Sequence, residues 1–62
     1  MLTGFDSIQA RDLMVGDTVP EGVVVDIETG ATGLLTLEVA AYQGSTITNL
    51  VTVSPVDTVW VK

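Results

Sequence analysis

Between Val23 and Val61 the chain is built of short runs in which apolar and polar side chains take turns, the period of two that marks strands with one face on a core. The runs are rich in Val, Thr, Ile and Leu and are separated by breaks containing glycine or proline. That is the punctuation of an all-β domain. Val23, Val25 and Ile27 alternate with Val24, Asp26 and Glu28, so the first set is expected inward and the second outward. Leu35, Leu37, Val39 and Ala41 form the inward set of the next strand, against Leu34, Thr36, Glu38, Ala40 and Tyr42. A hairpin is expected at Gln43-Gly44-Ser45, where glycine supplies the positive φ of a tight turn. Beyond it Ile47, Val51 and Val53 should look inward, and Asn49-Leu50 interrupts the alternation where a bulge fits. The last run places Val59 and Val61 inside and Trp60 on the other face.

The N-terminal third is less periodic. Asp6-Ser7-Ile8-Gln9 has the outline of a weak capping box and predicts one short helical or 3₁₀ turn, within a loose or edge segment over residues 1–9. Leu13 is an apolar anchor, Gly16-Asp17 a turn, and Pro20-Glu21-Gly22 a second turn. Strands are thus expected around Val15–Val19, Val23–Glu28, Leu34–Gln43, Thr46–Val53 and Thr58–Val61. A flat sheet of five such strands would leave one apolar face wet. The predicted architecture is therefore a single domain of 62 residues in which residues 10–62 curl into one small five-stranded barrel.

Composition narrows the function classes. Apolar residues make up 47% of the chain, enough for a packed core despite a net charge of −6. There is no cysteine and no histidine, which removes disulfides, the usual zinc sites and any nucleophile activated by a histidine base. No apolar run approaches the roughly 20 residues of a membrane span, and no basic start followed by an apolar run marks a secretion signal. A soluble, cytoplasmic protein is expected. Eight carboxylates face only Arg11 and Lys62, a balance that repels nucleic-acid phosphates. The acids are also unevenly placed. Six of the eight precede Thr29, whereas Glu38 is the sole charge between Thr29 and Val56. Two different surfaces are implied, one acidic and one nearly neutral.

The order of features carries a resemblance. Leu13-Met14-Val15-Gly16-Asp17-Thr18-Val19, a central hairpin turning at Gly44, a one-turn break at Ser54-Pro55-Val56-Asp57 and a terminal Val59-Trp60-Val61 strand resemble the SH3-like small barrels over about residues 10–62. That resemblance implies a 3₁₀ turn joining the last two strands. The Asp12-Leu13-Met14-Val15-Gly16-Asp17 opening and the Val59-Trp60-Val61 ending are also similar to short proteins of actinobacterial bacteriophages, which implies a phage origin, action in the host cytoplasm and no particular activity. Polyproline recognition does not follow, because the Ala-Leu-Tyr-Asp-Tyr stretch is missing and only Phe5, Tyr42 and Trp60 are aromatic.

Catalytic readings are weak. Ser7, Ser45 and Ser54 sit at expected caps or turns, where serine bonds the local backbone. Asp26 and Glu28 share one strand face, yet a calcium site wants six or more oxygens from a shaped loop. Gly30-Ala31-Thr32-Gly33 lacks the lysine and following helix of a phosphate cradle. No enzyme activity, metal or cofactor is expected. The informative feature is the outward face of the central hairpin, where Val24, Leu34, Tyr42, Leu50 and Trp60 are expected to form an apolar wall with almost no charge. Natural sheets usually guard such surfaces with lysine, proline or other charges. A protein–protein contact is therefore expected, most simply homo-oligomerisation, with Trp60 as anchor. Two alternatives stand beside it. One is an acidic inhibitor or DNA mimic that engages a basic host protein through Asp17, Glu21, Asp26 and Glu28. The other is a virion or assembly component.

Overall fold

The computed structural model describes residues 3–62. It is all-β, with half of the chain in strands and no α-helix among the described residues. The described residues form six strands: β1 (Asp6–Gln9), β2 (Thr18–Val19), β3 (Gly22–Thr29), β4 (Leu35–Ala40), β5 (Thr48–Val53) and β6 (Thr58–Val61). They make a curled antiparallel sheet in the order β2-β3-β4-β5 and a two-stranded sheet of β1 with β6. The two sheets touch where the Lys62 amide donates to the Thr18 carbonyl at 2.9 Å. The whole is a slab whose shortest extent is 14 Å, a single core layer between two thin walls.

The core follows the alternation best in β4. Leu35, Leu37 and Val39 are buried there, because β4 is paired on both sides and its period is unbroken. Ala10, Leu13, Val19 and Val24 complete the cluster, and Ile8, Ile27, Val51, Val53, Val59 and Val61 pack on it half-buried. The turns form from local chemistry. The Asp17 carboxylate accepts the Met14 amide at 2.9 Å while Gly16 takes φ +100°. At Ser54–Asp57 a single hydrogen-bonded turn closes from the Asp57 amide to the Ser54 carbonyl at 3.0 Å, and the Asp57 carboxylate accepts the Ser54 amide at 2.8 Å. Gly44, at φ +89°, turns the β4–β5 hairpin.

Several expectations are corrected. Asp6–Gln9 is a strand and not a helical turn: it pairs with β6, Asp6 opposite Val61 through Gln9 opposite Thr58, and the 3₁₀ turn follows at Ala10–Asp12. Gln9 caps nothing; its side-chain oxygen accepts from Arg11 Nε at 2.8 Å. The bulge lies in β3, between Val24 and Asp26, and β5 runs in unbroken register with β4. This reverses the faces at the start of β3. Val24 is 0% exposed in the core opposite Val39, and Val25 is the extra, outward residue. Ile27 recovers the inward phase opposite Leu37 after the bulge. Ala40 is buried and Ala41 exposed, the reverse of the alternation, because β3 passes Ala40 at Gly22 with no side chain between the backbones. Ile47 is exposed, since it lies past the last β4–β5 ladder pair, Ala40 with Thr48.

Candidate functional site

The core is open on one side. Because β5 and β6 are joined by the Ser54–Asp57 turn without pairing to each other, a groove of about 170 Å³ opens onto the inner face of β4 and β5. Leu37 and Val39 lie along it with Val51 and Val53, while Trp60 and the Pro20-Glu21 turn flank them. The lining is therefore aliphatic, with an indole on one wall and a single carboxylate. A surface of this kind favours an apolar side chain over a charged one.

The five apolar residues singled out from the sequence separate into three places. Val24 is the most completely buried large side chain of the described chain and is removed from any contact surface. Trp60 is half-buried in the groove wall, opposite Ser7 in the β1–β6 ladder. Leu34, Tyr42 and Leu50 are exposed: Leu34 at the end of the Gly30–Gly33 turn, Tyr42 in the β4–β5 loop and Leu50 in the middle of β5. Alternation missed Ile47, the most exposed large apolar residue among the described residues at 72%, followed by Leu50 at 71%, Met14 at 69% and Tyr42 at 67%. The signal available was its position three residues beyond the turn glycine, at the hairpin's end.

The acidic set also divides. Asp17 is half-buried and holds the turn at Met14, so its carboxylate is already engaged. Glu21 stands at the groove's rim. Asp26 and Glu28 project from the outer face of β3, where the register sets Asp26 opposite Glu38 and Glu28 opposite Thr36. Like charges directly across a ladder are unfavourable, so this face is a local concentration of negative potential. The two cations are elsewhere: Arg11 bonds Gln9, and Lys62 Nζ sits 5.4 Å from the centre of the Phe5 ring. No group of three or more acids among the described residues is placed to hold a metal ion. No family model, curated protein or solved structure matches the chain. Among the described residues no helix is long and apolar enough to cross a membrane.

The surface thus has an acidic part and an apolar part. The outer face of β3 and β4 presents Asp26, Glu28 and Glu38. The hairpin of β4 and β5 presents Tyr42, Ile47 and Leu50, in a stretch where Glu38 is the sole charge.

Proposed function

We propose that this chain is a non-catalytic, SH3-like small barrel, open on one side, that works by protein–protein contact and takes a second copy of itself as its partner. Two features support the barrel reading: the sequence of neighbours β1-β6, then β2-β3-β4-β5, and the single turn between β5 and β6. The observation that carries the functional reading is the β4–β5 hairpin, with Ile47, Leu50 and Tyr42 in solvent and Glu38 as its sole charge. Covering about 100 Å² on each of two such side chains yields several kcal/mol at ~25 cal/mol per Å². That is comparable with the whole stability of a domain of this length, about 3–9 kcal/mol.

Light scattering tests the reading. Self-association is expected at tens of micromolar and should persist in high salt, because the surface that carries it is apolar. Tyr42→Ala, which removes one of the exposed apolar side chains of the hairpin, should weaken it by about tenfold. A strict monomer at hundreds of micromolar sinks the proposal.

The outer acidic face supports a second reading, an inhibitor of a basic host protein, through Asp26 and Glu28 with Glu38 added and Asp17 and Glu21 left out. Its contact would be electrostatic. Binding to a basic partner should then fall steeply between low and physiological salt, and Asp26→Asn with Glu28→Gln should abolish most of it.

A further inference from the structure

We infer that the second copy is added along the free edge of β5, as an antiparallel, two-fold strand pair centred on Leu50; this rests on the self-association reading above. β5 ends the four-stranded sheet, and no described residue makes a backbone hydrogen bond to its outer edge. The ladder with β4 fixes which groups face that edge. The hairpin bond from the Ala41 amide to the Ile47 carbonyl makes the odd residues of β5 the ones that bond to β4. The N–H and C=O groups of Thr48, Leu50 and Thr52 are therefore the open ones.

Edges of this kind are normally blunted by lysine, proline, a bulge or inward charge. β5 has none of these: its six residues are Thr-Asn-Leu-Val-Thr-Val, paired with β4 in unbroken register. The other outer edge, β1, carries Asp6. Two copies of a chain with net charge −6 repel each other wherever their acids meet. At β5 they do not meet. Glu38 lies one strand in from Leu50, so a two-fold pair holds the two Glu38 residues three strand spacings apart, about 14 Å. The screening length at physiological ionic strength is about 8 Å.

The edge is also self-complementary. With Leu50 opposite its own copy, Thr48 meets Thr52 and Ile47 meets Val53 of the second chain. Thr–Thr and β-branched pairs are favourable cross-strand neighbours. The two most exposed large apolar side chains among the described residues, Ile47 and Leu50, each gain an apolar neighbour in this register and no other residue is forced against a charge.

Sedimentation equilibrium with residue-resolved amide exchange tests the pairing. The expected species has about twice the 6.5 kDa mass of one chain. On dimerisation the amides of Thr48, Leu50 and Thr52 should slow by at least about tenfold, while loop amides such as Gly33 stay fast. Leu50→Lys, at an exposed position, should weaken the dimer by about a hundredfold and leave the β3–β4 amides protected. A dimer in which the Thr48, Leu50 and Thr52 amides exchange as freely as in the monomer, or which withstands Leu50→Lys, overturns the β5 pairing and leaves self-association standing. Open-ended growth with concentration, as a β5-to-β1 contact would give, overturns the two-fold pairing. A monomer at all concentrations overturns both it and the reading beneath it.

Discussion

Replacing Gly22 by alanine is expected to remove about 3–5 kcal/mol, a third or more of the stability a domain of this length possesses. Two effects combine. Gly22 takes φ +147°, a backbone conformation that side chains other than hydrogen resist. A Cβ there would also overlap the carbonyl oxygen of Ala40 and come within 2.9 Å of its carbonyl carbon. Neither atom is the far end of a flexible side chain; both belong to the backbone of central strand β4, so relief requires β3 and β4 to separate. Gly44→Ala is the matched control, because Gly44 has φ +89° but nothing within 4 Å of a Cβ. It should cost only the conformational term, about 1–2 kcal/mol. Urea midpoints of the two variants measure the difference. Equal midpoints would mean that the close passage of β3 over β4 does not exist.

That passage also explains which parts of the fold were legible in advance. Leu35, Leu37 and Val39 were readable because the ladder from β4 to β5 runs without a bulge and keeps their period, and the turns at Asp17, Gly44 and Asp57 because their chemistry is local. Val23-Val24-Val25 was not readable in the same way. Three valines in a row carry no period, and their phase is set from outside by the approach of Gly22 to Ala40 and by the bulge that follows. β1 was hidden for a related reason. It has one apolar residue to show, Ile8, and owes its existence to a partner more than forty residues away in β6.

The exposed apolar positions were legible by half. Leu34, Tyr42 and Leu50 stand exposed on or near a hairpin whose sole charge is Glu38, as alternation and charge placement together suggest. Trp60 alternates correctly out of phase with Val59 and Val61, yet the gap between β5 and β6 turns its face into a groove wall. An open groove cannot be seen in any one strand, because it arises from a pairing that is missing. The same gap makes the outer edge of β5 available, so the openness of the core and the proposed strand addition have one structural origin.

The β3 bulge makes the second large prediction, a contrast between neighbours. Val24→Asp should leave no cooperative folded state at neutral pH: the side chain is 0% exposed, packed opposite Val39 in an aliphatic core, with neither Arg11 nor Lys62 in that cluster. An unpaired carboxylate buried in this way costs several kcal/mol, comparable with all the stability available. Val25→Asp, on the bulged and partly exposed position, should change stability by about 1 kcal/mol or less. The gentler pair grades the same comparison. Val24→Thr keeps the shape and buries a hydroxyl, for about 1–3 kcal/mol, whereas Val25→Thr should be neutral within about 0.5 kcal/mol. Strict alternation through Val23, Val25 and Ile27 demands the opposite ranking. Chemical denaturation of the four variants decides between them, and a larger loss at Val25 than at Val24 would place the bulge elsewhere and return Val24 to the surface.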